Sequence, residues 1–155
     1  MGATTAITIC THVYVRTPRT WQRVFDFGVS STAGYAFLTT QEQTNGAPRF
    51  AITKTTTTAE QQISMTTPAA LSTGAWHHIA VVLGAGATYT GTLYIDKVAV
   101  GTNSAMTLRP SDLGAGGNNF IGKSQYSGDP YFDGFIDDFR IYKRALTAAE
   151  ISALP

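Results

Sequence analysis

Apolar and polar residues alternate over short stretches along most of the chain. This is the two-residue period of a half-buried strand, not the 3.6-residue period of a helix. Residues 6–15 (Ala-Ile-Thr-Ile-Cys-Thr-His-Val-Tyr-Val) show it first. After a loop containing Pro18, a second strand is expected from Trp21 to Gly28, with Trp21, Arg23, Phe25 and Phe27 on one side and Gln22, Val24 and Asp26 on the other. Tyr35 to Thr39 makes a third, and Arg49 to Thr53 a fourth after the turn at Asn45-Gly46. The threonine run between Lys54 and Ala59 reads as a strand end or exposed loop, followed by a short strand at Gln61–Ser64. Trp76 to Leu83 is the strongest apolar run; with Thr88 to Ile95 it predicts a hairpin across Gly84-Ala85-Gly86, and a second turn follows at Ile95–Val98. Asn118 to Lys123 is a strand after the glycine-rich stretch 114–117.

The chain closes on Gly134-Phe-Ile-Asp-Asp-Phe-Arg-Ile-Tyr142. Phe135, Phe139 and Ile141 share one parity of the pleat, while Asp138, Arg140 and Tyr142 share the other. Ile136 and Asp137 break that division, which predicts a bulge between them. Thr147-Ala-Ala-Glu150 has the form of a capping box and opens a short helix through Leu154. About ten or eleven short strands, with turn signals every ~8–12 residues, predict an all-β fold. The expected architecture is a two-sheet antiparallel β-sandwich of jelly-roll type with a short C-terminal helix.

Length and charge narrow the function. The 155 residues suffice for one domain with a core. A net charge of +1, with 14% charged residues and no basic run, argues against nucleic-acid binding. No apolar stretch is long enough to span a bilayer. The lone Cys10 has no partner for an internal disulfide and reads as a buried apolar cysteine. His77 and His78 are adjacent and face opposite sides of their strand, so they do not suit one metal ion. His78 shares a side with Trp76, Ala80 and Val82 and is expected as a hydrogen-bonded histidine inside the sandwich. Trp21 and Trp76 read as core or rim anchors, and Arg23 and Asp26 as a buried pair, with Arg23 alternatively reaching a cleft.

The stretch Ser124-Gln-Tyr-Ser-Gly-Asp-Pro-Tyr131 is the best candidate for ligand contact. A sugar offers apolar CH faces and many hydroxyls; Tyr126 and Tyr131 suit the faces, and Gln125 and Asp129 suit the hydroxyls. The competing reading is a loop whose tyrosines pack over the edge of the sandwich. Asp137 and Asp138 are hard oxygen donors of the kind calcium takes, although Asp137 would equally cap amides or pair with Arg140 or Arg144.

Four stretches occur in a familiar order: Trp76-His-His-Ile-Ala-Val-Val82, Gly91-Thr-Leu-Tyr-Ile-Asp96, Asn119-Phe-Ile-Gly122, and Gly134 to Tyr142 with Arg144-Ala-Leu146 and Glu150-Ile151. This order resembles the laminin-G-like, concanavalin A-like jelly-roll domains of bacterial extracellular proteins, over most of the chain. Arg23-Val-Phe-Asp-Phe-Gly28, Gly46-Ala-Pro-Arg-Phe50, Ser124-Gln-Tyr-Ser127 and Asp129-Pro-Tyr131 look most like the copies appended to arabinan- and arabinoside-degrading glycoside hydrolases. The resemblance implies a single domain over 1–155, part of a larger secreted protein and therefore extracellular. It also implies a non-catalytic accessory module that binds a polysaccharide or oligosaccharide, arabinose-containing glycans first, beside the catalytic domain of a parent enzyme. The alternative is a structural module that packs on a catalytic domain or on a second copy of itself.

Three departures from the family pattern stand out. The family's first strands and an Asp/Asn/Gly-rich calcium loop are not found ahead of Ile7, which lowers the expectation of a structural calcium at Asp137 and predicts an uncovered sheet edge open to self-association. Thr11-His12-Val13 stands where an Ala-Trp-Val step is usual, and Asp96-Lys97 where Asp-Gly is usual. Concanavalin A-like glucanases carry Glu-x-Asp-x-x-Glu on one strand; Glu42, Glu60 and Glu150 fit no such pattern, leaving only aspartates such as Asp129, Asp133, Asp137 and Asp138 as a remote catalytic option.

Overall fold

A computed structural model describes residues 6–155. The strands are β1 (Ile7–Val15), β2 (Arg23–Gly28), β3 (Tyr35–Thr39), β4 (Arg49–Thr53), β5 (Gln61–Ser64), β6 (Trp76–Leu83), β7 (Tyr89–Ile95), β8 (Val98–Met106), β9 (Asn118–Ile121) and β10 (Gly134–Tyr142). Short 3₁₀ turns sit at Thr57–Ala59 and Pro110–Leu113, and one helix, α1 (Ala148–Ser152), ends the chain. The strands form two five-stranded sheets, in the orders β10-β1-β6-β7-β8 and β5-β4-β3-β2-β9. Neighbouring strands run antiparallel throughout.

The main core lies between the sheets. Ile7, Ile9, Val13, Ile79, Val81, Leu83 and Leu93 from the first sheet meet Phe25, Phe27, Ala36, Leu38, Phe50, Ile52 and Ile63 from the second. Each set recurs at alternate positions of its strand, as the pleat requires. The outer face of the first sheet is covered at one end by α1: Leu146 and Ile151 pack on Cys10, Ala80, Val82 and Tyr94. The Thr147 side chain accepts from the Glu150 amide and the Glu150 carboxylate accepts from the Thr147 amide, so the capping box is formed. Arg144 contacts the same carboxylate and, with the Thr147 bonds, holds it low, at about 2.

Several strand details differ from the alternation read along the chain. β8 is a full strand that the pattern did not show, because Val98-Ala-Val-Gly-Thr-Asn-Ser-Ala has little apolar contrast and its exposed edge asks for little. The Ile95–Val98 turn has both Asp96 (φ 49°) and Lys97 (φ 70°) in the left-handed region, the demand of a two-residue type I′ hairpin. The bulge in β10 falls opposite Thr11, between the pairs Cys10–Arg140 and His12–Asp137, with Asp138 at φ 52°, and not between Ile136 and Asp137. Ile136 and Phe139 therefore turn inward. Phe135 instead joins Tyr14 and Trp76 in one rung on the outer face, where Trp76 and Phe135 are 49% and 55% exposed. His78 lies on this outer face too, not inside the sandwich; it is buried beside His12, and its Nδ1 has no hydrogen-bond partner. Burial pushes the His78 imidazole below its usual range.

Candidate functional site

The outer face of the second sheet carries the cleft. In β3, Ala36 and Leu38 enter the core, so Tyr35 and Phe37 point the other way and form a separate cluster with Ala51, Trp21 and Tyr126. In β4 the same alternation sends Arg49 outward beside Ala51. β2 has an irregularity: Arg23 pairs with Thr39 and Phe25 with Leu38, so Val24 is the extra residue. Val24, Phe25 and Phe27 all enter the core, and the slip places Arg23 on the same outer face as Asp26. Strict alternation had put these two on opposite sides.

Trp21 stands at the entrance to β2 with φ 66°, an unusual conformation for a bulky residue and a mark of local strain at a site. Its amide donates to the Gln41 carbonyl (2.9 Å). The indole meets Phe37 edge to face, at 6.5 Å between ring centres. The Arg23 guanidinium lies 3.8 Å from the Phe37 ring centre, and that of Arg49 lies 4.8 Å from the Trp21 ring centre. Two cations are thus stacked on an aromatic floor.

Each arginine is held between two carboxylates. Arg23 Nη2 is 3.1 Å from Asp129 and its Nε 3.6 Å from Asp26. Arg49 Nη2 is 3.0 Å from Glu60 and its Nη1 3.6 Å from Glu42. Glu60 also accepts from the Tyr35 hydroxyl (2.7 Å) and from Gln62 Nε2 (2.9 Å). Burial lowers the Arg23 pKa against the pull of Asp129 and Asp26. Burial likewise raises the Tyr35 phenol, with its hydrogen bonds to Tyr126 and Glu60 adding to the shift. The resulting cleft, about 210 Å³, is lined by Trp21, Arg23, Phe37, Arg49, Thr57, Glu60, Tyr126 and Asp129. That is below the ~300–1,000 Å³ of drug-sized sites and suits one sugar residue or the end of a chain.

The loop between β9 and β10 forms one wall, and Asp26 fixes it. This fully buried carboxylate accepts from the Gln125 amide (3.1 Å) and from Gln125 Nε2 (2.9 Å). Burial raises the Asp26 carboxyl above its usual range, against the Gln125 hydrogen bonds that lower it. Ser124 Oγ donates to Asp129 (2.8 Å), and the Tyr126 hydroxyl donates to the Ser31 carbonyl (2.9 Å).

Of the residues singled out from sequence, Tyr126 and Asp129 line the cleft. Gln125 lies beneath it, where its amide group holds the loop to Asp26. Tyr131 is 69% exposed and is not among the residues that line the cleft. Asp137 is exposed; its Oδ1 accepts from the Asp138 amide (2.8 Å), and Arg140 pairs with Asp138 instead. Among the described residues no group of three or more His, Cys, Asp or Glu side chains comes together as a metal site. The sequence reading missed Phe37, Arg49, Thr57 and Glu60. A strand reading Tyr-Ala-Phe-Leu-Thr, apolar at both parities, was the available signal that its second face is also covered.

The family described as the concanavalin A-like lectin/glucanases superfamily matches residues 1–152. No curated protein matches. Among solved structures, domain 4 of AbnA, a GH43 extracellular arabinanase from Geobacillus stearothermophilus in complex with arabinotriose, aligns with a TM-score of 0.74 and 22% identity. The alignment covers 96% of this chain and 66% of that domain, slightly under two thirds. The CBM40 module of the Ruminococcus gnavus IT-sialidase bound to α2,3 sialyllactose gives a TM-score of 0.78 at 15% identity, over 97% of this chain and 83% of that one. NanB sialidase from Streptococcus pneumoniae gives 0.76 at 18% identity, over 99% of this chain and 24% of that one. At these identities the likeness is one of fold.

Proposed function

The chain belongs to the concanavalin A-like lectin/glucanases superfamily, and we propose that it is a non-catalytic carbohydrate-binding module of a secreted glycoside hydrolase, with arabinose-containing glycans as its ligands. The observation that carries this reading is the cleft itself. Trp21 and Tyr126 offer aromatic surface for a sugar's CH face, and Glu60, Asp129 and Arg49 offer acceptors and donors for its hydroxyls. The arabinotriose held by the similar arabinanase domain points to arabinose-containing chains as the first to try. Binding of one sugar chain in so small a cleft is expected at roughly micromolar to millimolar Kd. Tethering to the polymer would then raise a linked enzyme's effective concentration there.

Hydrolysis is a poor fit to this cleft. A glycosidase needs one carboxyl group to protonate the leaving oxygen and another free to act opposite it. Asp129, Glu60 and Glu42 each face an arginine, and Asp26, raised by burial, has no exposed surface with which to reach a glycosidic bond. Calorimetric titration with arabinotriose and with arabinan tests the proposal. Heat of binding that Trp21→Ala and Tyr126→Ala both reduce supports it; a flat trace from folded protein at millimolar ligand refutes it.

A second reading is favoured by one observation, the exposed rung of Tyr14, Trp76 and Phe135 on the other sheet. Aromatic surface of this kind suits packing on a catalytic domain or a second copy. Light scattering of the wild type and of a Trp76→Ser/Phe135→Ser variant separates the readings: a dimer that the variant dissolves, together with flat sugar titrations, would favour packing.

A further inference from the structure

The charged residues that line the cleft are two guanidiniums, Arg23 and Arg49, and two carboxylates, Asp129 and Glu60; Trp21, Phe37, Thr57 and Tyr126 carry no charge. Each lining arginine faces one lining carboxylate, so the cleft presents no uncompensated positive charge. The pairing is held in place. Glu60 is pinned by Tyr35, Gln62 and Arg49, and Asp129 by Ser124 and Arg23, so neither carboxylate swings aside without breaking several short contacts. The Arg23 side chain is only 3% exposed; its Nη1 donates to the Trp21 carbonyl (3.2 Å) and its Nη2 faces Asp129 (3.1 Å), while its Nε is buried without a hydrogen-bond partner.

We propose that Glu60 and Asp129 are specificity-determining residues: they pair with the terminal nitrogens of Arg49 and Arg23, so the cleft takes an uncharged sugar residue through its hydroxyls and rejects a sugar bearing a carboxylate. The proposal rests on the carbohydrate reading above and names the ligand class within it. A carboxylate entering this cleft meets like charge, and it would have to displace Glu60 from Arg49 to gain a paired bond. A neutral sugar meets no such cost, because a hydroxyl donates to a carboxylate oxygen and accepts from an N–H without adding charge. The fold has no such bias of its own, since the similar sialidase module holds sialyllactose.

The test compares arabinotriose with two acidic probes, α2,3 sialyllactose and trigalacturonate, by calorimetry at low and at high salt. Wild type is expected to bind the acidic probes at least about tenfold more weakly than arabinotriose, a gap that salt narrows by screening the repulsion. Glu60→Gln keeps an acceptor for the Tyr35 hydroxyl and removes the charge; it should improve acidic-probe affinity about fivefold or more and change arabinotriose affinity less. A melting curve establishes that the variant is folded, and the salt series on the wild type decides the matter if it is not. Acidic probes binding wild type as tightly as arabinotriose overturn the proposal and leave the carbohydrate reading intact. A Glu60→Gln protein, folded, with the gap unchanged overturns the role of Glu60. Absence of binding to all three sugars overturns the carbohydrate reading and the proposal together.

Discussion

Asp26→Ala should cost more stability than any other single change at the cleft. The carboxylate has no exposed surface and accepts two hydrogen bonds from Gln125, at 3.1 and 2.9 Å, while facing Arg23 Nε at 3.6 Å. Truncation leaves two part-buried donors of Gln125 without partners, each costing at most about 1–3 kcal/mol. It also removes one of the two carboxylates that face the buried Arg23; loss of a partner from a buried ion pair costs about 3–5 kcal/mol at most here, because Asp129 stays 3.1 Å from the guanidinium. These losses overlap in one network, so the larger range, about 3–5 kcal/mol in all, is the expectation. In a domain of this size, 1 kcal/mol moves Tm by roughly 2–4 °C, so the variant should melt about 6–20 °C lower. Urea unfolding followed by tryptophan fluorescence measures the loss directly, since Trp21 sits beside the affected network. Asp26→Asn keeps one acceptor and should lose about 1–2 kcal/mol. The folded-state pKa of Asp26 is raised, so its protonated form favours the native state; that contribution is full below pH 3.8 and fades as the pH rises through the raised value. Wild type should therefore lose stability relative to Asp26→Asn over that window. An Asp26→Ala protein within about 1 kcal/mol of wild type in urea would refute the idea that this carboxylate holds the loop.

Three other expectations can be checked alongside it. Tyr131→Ala should leave arabinotriose affinity within about twofold of wild type, whereas Trp21→Ala should weaken it about tenfold or more, the size of an aromatic anchor's loss in a titration. Burial-independent contacts, chiefly with Arg144, hold Glu150 at about 2 in the folded protein against its usual 4.5, so its contribution is present above pH 4.5 and is lost as the pH falls toward 2; the protection factor of the Ile151 amide, taken against the intrinsic exchange rate at each pH, should fall over that interval, and Glu150→Gln should abolish that fall. Gly134→Ala should lower Tm by several degrees, because a Cβ there would strike the Tyr14 carbonyl across the β1–β10 pair.

The all-β class, the two-sheet sandwich and the capped C-terminal helix were legible along the chain, because pleat periodicity, turn residues and a capping box are local properties. Tyr126 and Asp129 were legible as candidates, and they line the cleft, for a similar reason: aromatic, acidic and Gly/Pro chemistry is concentrated within 124–131. Gln125 and Tyr131 belong to the same stretch, yet the fold sets them to other tasks, the first under the loop and the second in solvent. Composition does not say which way a loop side chain turns.

What sequence alone determined is therefore most of the strands and the chemistry concentrated in one loop. The tertiary structure decided which side chains meet. A single extra residue at Val24 swings Arg23 onto the face of Asp26, and another in β10 sends Phe135 outward and Phe139 inward. A bulge reverses the parity of everything beyond it, and its position depends on the partner strand across the sheet. Arg49 and Glu60 join Arg23 and Asp129 only because β4, β3 and β2 lie side by side and the 122–133 loop folds back over them. The cleft is a product of strand order and register, properties held between segments of the chain and not within any one of them.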